Sequence, residues 1–286
     1  MSTKRPTGPK PPEPLHIPLS THDLNDEQRR VERELAEILA NRTVADRLYN
    51  ALPEALGGRV INIDLYRDLH PEYSRDGTDR RERRTRLTPA TYGPAKIASK
   101  DRFLRSLAHG QGQVVLIMGG GPASGKSTSL RATLGNPQDL ADIVYDTSLA
   151  SSSEALAFVA SSLEAGHTVK IAWVDRPFPR AIDSMVARAC VDGRYLTLER
   201  MATLHRGSRQ AILDVAEAYR SDERVEIAGI DNRYEERKPA LRDLDPLVTA
   251  VRSSLKGVTH DAARAAFDAY RRSHDVPPDV ERALRG

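Results

Sequence analysis

Short apolar runs punctuate this chain, and most of them end in aspartate. Val60–Ile63 stops at Asp64, Ile143–Tyr145 at Asp146, Val169–Val174 at Asp175 and Val225–Ile230 at Asp231. One more run, Val114–Met118, stops instead at Gly119, Gly120 and Gly121. Each run is too short for a helix and is bounded by polar or turn-forming residues, so each reads as a buried strand. The stretches between them have helical spacing: Lys96 to Leu107, a segment from Lys126, Ser153 to Leu163, Arg180 to Cys190 and Leu198 to Tyr219. Strands alternating with helices predict an α/β domain, a mostly parallel five-stranded sheet flanked by helices. Such sheets bind ligands beyond the carboxyl ends of their strands, where these aspartates would lie.

Ahead of that domain the periodicity is helical. Asn25 with Gln28 makes a capping signature, and Val31, Leu35, Ile38 and Leu39 then fall on one face. Thr43 with Asp46 repeats the signature before Val44, Leu48 and Leu52, and Pro53 with Gly57–Gly58 closes the unit. The expected organisation is a disordered Pro-rich tail over 1–20, a helical N-terminal extension over 21–58, the α/β domain over 59–250 and C-terminal helices over 251–286. A helical pair packed on the main domain is the expected role of the extension. The tail carries Pro6, Pro9, Pro11, Pro12, Pro14 and Pro18, which exclude helix and central strand.

The glycine-terminated run carries the most specific motif. Gly120-Gly121-Pro122-Ala123-Ser124-Gly125-Lys126-Ser127 fits G-x-x-x-x-G-K-[ST], between a strand and a helix that continues with Thr128. Glycines let successive backbone N–H groups turn toward phosphate oxygens. The lysine reaches the β- and γ-phosphates, the serine hydroxyl is a ligand for Mg²⁺, and the helix start adds positive partial charge. This is the phosphate loop of the P-loop NTPase fold. No N-K-x-D guanine motif of the kind a GTPase carries accompanies it.

Transfer of a phosphoryl group needs more than that loop. Asp64 at a strand tip can accept the proton of an attacking hydroxyl, with Arg67 holding substrate or steering the carboxylate. Asp146, one strand after the loop, has the position that holds Mg²⁺ through water or grips an acceptor, with Ser148 beside it. Arg188, Arg194, Arg200, Arg206 and Arg209 lie where a lid should cover the nucleotide. His205 is expected to be structural or substrate-facing. The run from Asp79 to Arg86 is strongly basic, and reads first as a solvated face and second as a diphosphate contact. It lacks interleaved aromatics for base stacking, so nucleic acid is disfavoured.

Bulk composition adds boundaries. The 286 residues carry a formal charge of only +3 and one cysteine, Cys190, so no intrachain disulfide is possible. The longest strictly apolar run is far short of a membrane span, and the basic N-terminus has no apolar signal segment. A cytoplasmic protein is expected.

These motifs together resemble the zeta toxin family, P-loop kinases of bacterial toxin–antitoxin systems that phosphorylate UDP-N-acetylglucosamine. The resemblance spans residues 59–235. Asn62-Ile63-Asp64-Leu65-Tyr66-Arg67-Asp68-Leu69-His70-Pro71-Glu72-Tyr73 looks like the family's catalytic-aspartate and His-Pro segment, and Leu87-Thr88-Pro89 like its Thr-Pro. Tyr145-Asp146-Thr147-Ser148-Leu149 looks like the Glu-Gly-Thr strand end, Ala165-Gly166-His167 like the Gly-Tyr before a strand, and Arg188 with Gly193-Arg194 like the lid arginines. The resemblance implies Asp64 as base, Lys126, Arg188 and Arg194 on the transferring phosphate, and Arg67, His70, Asp146 and Ser148 toward the acceptor. It also implies ATP, Mg²⁺ through Ser127 and Asp146, and an antitoxin partner. Two departures stand out. The Asp/His-Pro segment precedes the phosphate loop instead of following it, and Asp-Thr-Ser replaces Glu-Gly-Thr. A nucleotide-dependent switch contacting a partner or nucleic acid is the competing reading.

Overall fold

A computed structural model describes residues 13–21, 23–233 and 239–286. The first part of the Pro-rich tail, 1–12, therefore lies outside the described residues. From Glu13 the chain lies against the domain: the Leu15 N–H donates to the Ala40 carbonyl at 2.9 Å, and Leu15 and Ile17 pack on the core. The disorder expected for the whole tail does not extend to this stretch, because its two apolar side chains have a surface to cover.

Helix α1 (Asp26–Ala40) starts with the expected capping box, Asn25 and Gln28 exchanging bonds at 2.9 and 3.1 Å. Helix α2 (Arg42–Asn50) is capped by Asn41 in place of Thr43. A 3₁₀ turn, Pro53–Gly58, leads into strand β1 (Val60–Asn62), followed by α3 (Ile63–Arg67) and α4 (Pro71–Ser74). Helix α5 (Arg80–Ser106) starts well before the predicted Lys96 and contains Pro89 and Pro94. Local breakers are overridden there by a buried face that includes Leu87, Ala90, Ala95, Ala98 and Phe103.

Strand β2 (Val114–Gly119) is followed by α6 (Lys126–Leu134), α7 (Pro137–Leu140), β3 (Ile143–Asp146), α8 (Ser152–Glu164) and β4 (Thr168–Asp175). Then come α9 (Phe178–Asp192), α10 (Leu198–Tyr219), β5 (Val225–Asp231), β6 (Ala240–Arg242), α11 (Leu244–Leu255), α12 (His260–Ser273) and α13 (Pro278–Arg285). The sheet order is β1-β3-β2-β4-β5-β6, parallel except for the β5–β6 pair. The α/β sheet is as expected, with a sixth, antiparallel strand added. Two of the three β6 residues are exposed, so β6 has no apolar run to reveal it.

Both faces of the sheet are covered, which is why its strands read as unbroken apolar runs. Val115 and Ile117 join a core on one face with Phe103, Tyr145, Phe158 and Trp173, while Leu116 and Met118 join Val144, Ala172 and Val174 on the other. A separate apolar cluster ties α9 and α10 to α12 and α13 through Phe178, Met185, Met201, Phe267, Val280 and Leu284. The C-terminal helices thus brace the helix that carries Arg188.

Strand β1 is short and lies at the sheet edge. Helix α2 secures it: the Tyr49 hydroxyl donates to the Val60 carbonyl at 3.0 Å and accepts from the Asn62 N–H at 2.8 Å. The Tyr49 ring stacks on Tyr66 at 4.2 Å. No helix among the described residues is long and apolar enough to cross a membrane. Replacing the first capping residue, Asn25→Ala, is expected to lower stability by about 1 kcal/mol in urea unfolding, without changing the m-value.

Candidate active site

The phosphate loop occupies the reversal point of the sheet. From β2 the chain goes to β3 on one side, then crosses to β4 on the other, leaving a crevice at the tip of β2. Gly120, Ala123 and Gly125 have positive φ (132°, 56° and 80°), which curls the backbone. No side chain caps α6, so its first-turn N–H groups are left for an anion.

Pro122, Ala123, Ser124, Gly125, Lys126, Ser127 and Thr128 all line a cavity of about 620 Å³. Gly120 and Gly121, expected to touch nucleotide, do not line it. They permit close packing beneath the loop, where a Cβ on Gly120 would press on the Val174 carbonyl and one on Gly121 would enter the His205 ring.

His205 holds the loop from below and does not face a substrate. Arg209 Nη1 donates to its Nδ1 at 3.0 Å, so Nε2 carries the proton given to the Pro122 carbonyl at 2.7 Å. Burial first, and then the Arg209 charge, push its pKa down to about 3. Asn232 and Arg176, not foreseen in the sequence, complete this end. Asn232 Nδ2 donates to the Ser124 carbonyl at 2.8 Å, and Arg176 lines the cavity while donating to Ser184 Oγ at 2.9 Å. Arg176 lies just past β4 and Asn232 just past β5, and position at a strand end was their signal.

Asp64 lines the same cavity from α3. Arg67 Nη1 meets its Oδ1 at 3.0 Å, while Arg188 Nη2 and Arg194 Nη1 meet its Oδ2 at 2.8 and 3.2 Å. Burial pushes the carboxyl pKa up, but the charges of Arg67, Arg188 and Arg194 outweigh it and hold the group well below the usual carboxylate range. Arg67 is itself buried and fixed by Thr91 Oγ1 at 3.0 Å and Thr88 Oγ1 at 2.9 Å. Arg67 thus lines the cavity while bonded to the Asp64 carboxylate, and Thr88 of the Thr-Pro pair is part of its support.

Asp146 and Ser148 also line the cavity. Asn62 stands opposite Asp146 in the β1–β3 register, donates Nδ2 to Asp146 Oδ2 at 2.8 Å, and accepts the Asp64 N–H at 2.7 Å. One asparagine therefore links the Asp146 carboxylate to the Asp64 backbone. Lys126 Nζ lies 3.7 Å from Asp146 Oδ1. Burial raises the Asp146 pKa, with Lys126 opposing and the nearby Asp64 charge reinforcing it.

His70 does not reach the cavity, contrary to its expected acceptor role. Its ring is buried at the start of α4, with Nε2 3.1 Å from Glu34 of α1. Of the remaining lid candidates, Arg200 lines a smaller side pocket of about 230 Å³ and Arg206 is exposed elsewhere. Arg209 is buried, donating to the Arg176 carbonyl at 2.8 Å and lying 3.5 Å from Asp175. The basic run is mixed: Asp79, Glu82 and Arg86 are exposed as a solvated face would be, but Arg83 and Arg84 are buried, Arg81 pairs with Asp279 and Arg86 with Glu27, and none of these lines the cavity.

The lining fits a nucleoside triphosphate with a divalent cation. Ser124 Oγ is buried in the phosphate loop without a hydrogen-bond partner. Ser127 and Asp146 offer a hydroxyl and a carboxylate. Among the described residues no group of three or more His, Cys, Asp and Glu forms a metal site. Mg²⁺ needs only one or two protein oxygens beside phosphates and water.

With this geometry established, the zeta toxin family model matches residues 138–238. The resemblance drawn from the motifs holds there, and it supports a P-loop kinase-like phosphotransferase in general. The match includes Asp146, Ser148, Arg188 and Arg194; the phosphate loop and Asp64 lie before it and reach the same cavity through the sheet order. No curated protein matches the chain.

The neutral buried His205 makes a prediction about acid stability. Its folded pKa lies below the ordinary value of 6.5, so the unfolded chain binds the extra proton first as pH falls. Stability should decline from about pH 6.5 toward pH 3. His205→Gln, which cannot charge, should flatten that decline in urea titrations across the window.

Proposed function

We infer that this zeta toxin relative transfers the γ-phosphoryl group of ATP to a hydroxyl of a nucleotide-like metabolite. UDP-N-acetylglucosamine is the first candidate acceptor, NAD or a nucleoside the second. One observation carries the reading: Asp64, Lys126, Arg188 and Arg194, drawn from separate parts of the chain, line a single cavity. A toxin acting in the cytoplasm, with an antitoxin to restrain it, belongs to the same reading.

In this mechanism the loop backbone and Lys126 cradle the β- and γ-phosphates. Ser127 and Asp146 would hold Mg²⁺, which supplies neutralising charge on the phosphate oxygens. Asp64 accepts the proton of the attacking hydroxyl at a carboxylate oxygen, and Asp146 with Ser148 orients the acceptor. In the nucleotide-free protein three arginines make Asp64 a weak base. A γ-phosphate competes for Arg188 and Arg194. When they turn to it, Asp64 keeps Arg67 alone and its proton affinity rises as the hydroxyl arrives. The competing switch reading puts the basic run and the helical extension on a partner or nucleic acid, and Arg81, Arg84 and Arg86 of that run are engaged in internal pairs.

The test is incubation with γ-labelled ATP, Mg²⁺ and either UDP-N-acetylglucosamine or a metabolite extract. A labelled metabolite is expected. Asp64→Ala should slow its formation by roughly 10²–10⁴-fold, and Lys126→Ala should also abolish most of it. ATP hydrolysis by wild type without any labelled metabolite would end the kinase reading.

A further inference from the structure

Arg84 belongs to the basic run, yet it is one of the most buried large side chains in the protein. Its guanidinium is fixed in three directions. Nη1 donates to Asp192 Oδ1 at 2.7 Å, Nη2 to Asp68 Oδ1 at 2.7 Å and Nε to the Tyr73 carbonyl at 3.1 Å. The Tyr73 ring lies beneath it, 4.9 Å from its centre.

Asp192 is divided between two arginines. One oxygen belongs to Arg84, and the other takes the Nε–H of Arg194. Arg188 Nε stands 3.9 Å from that second oxygen. With Nε so held, the Nη1 of Arg194 is the edge that meets Asp64 in the cavity. The turn between them is pinned separately. Gly193 is left-handed at the end of α9 (φ 76°), and a Cβ there would collide with the Arg81 carbonyl and crowd the Thr85 N–H of α5. Two independent features therefore seat the Asp192–Arg194 turn on α5.

We propose that Arg84 is a positioning residue for Arg194. By occupying one oxygen of Asp192 it prevents that carboxylate from gripping Arg194 through both oxygens, and so presents Nη1 to the cavity. An aspartate released from Arg84 would offer a bidentate site to the nearest guanidinium, the arrangement arginine prefers. That guanidinium is Arg194, with Arg188 next, and the cavity would lose them. The consequence for phosphoryl transfer rests on the function proposed above; the positioning does not.

Arg84→Met, checked for folding by circular dichroism, tests it in two ways. The first needs no nucleotide. The ¹³C carboxyl signal of Asp64, assigned with Asp64→Asn, is titrated in wild type and variant. With Arg194 drawn away, the Asp64 midpoint should rise by roughly one pH unit, the other charges facing it being Arg67, Arg188 and Asp146. An unchanged midpoint overturns the proposal. The second compares a non-hydrolysable ATP analogue with ADP by calorimetry. Arg84→Met should weaken the triphosphate roughly tenfold, spare ADP, and add nothing to Arg194→Ala. Equal weakening of both nucleotides, or full additivity with Arg194→Ala, reduces Arg84 to a structural role. Should Arg84→Met fail to fold, Asp68→Asn loosens the same guanidinium and must give the same pattern. Failure of wild type to bind either nucleotide rejects the phosphotransfer reading and leaves the titration to decide the positioning.

Discussion

One carboxylate shared by three guanidinium groups joins the two halves of this site. Arg67 is buried, and an uncompensated buried cation costs several kcal/mol. Asp64 supplies the counter-charge, and it does the same for Arg188 and Arg194 on the opposite wall. The segment after β1 and the end of α9 are thereby held face to face across the phosphate loop. The cluster sets one carboxylate against three guanidinium groups and so leaves net positive charge at the cavity wall.

The order of the motifs along the chain matters less than the order of strands in the sheet. Asp64 precedes the phosphate loop in sequence, yet β1 lies beyond β3, so Asn62 stands opposite Asp146 and the two acidic strand ends open on the same crevice. A permuted connection leaves the strand tips where they are. Chemistry at strand ends is set by lateral neighbours, and these are a property of the pairing register.

Much of this was legible because it is local. The phosphate loop, Asp64, Asp146 and the arginines around Gly193 announce themselves through strand ends, glycines and charge. What was misread depends on partners distant in sequence. Arg84 looked like surface charge because Asp68 and Asp192 are needed to bury it, and Asp192 is 108 residues away. His70 sat in a suggestive motif, but its direction is decided by Glu34 on α1. Helix α5 was cut short because Pro89 and Pro94 argue locally against a helix that packing sustains. Strand β6 carries no apolar pattern at all.

The short edge strand has a consequence for how the protein comes into being. Asn62 and its partner Asp146 are separated by 84 residues, and Asp64 and Arg188 by 124. On the ribosome β1 emerges with the Tyr49 hydroxyl and the packing of the Pro53–Gly58 turn and α5 to hold it, and waits for β3 before it has a strand to pair with. Contacts of such long span close late. Asp64 is made early and its ion cluster completed last, so a nascent chain has no assembled cavity until α9 and the turn after it are clear of the tunnel.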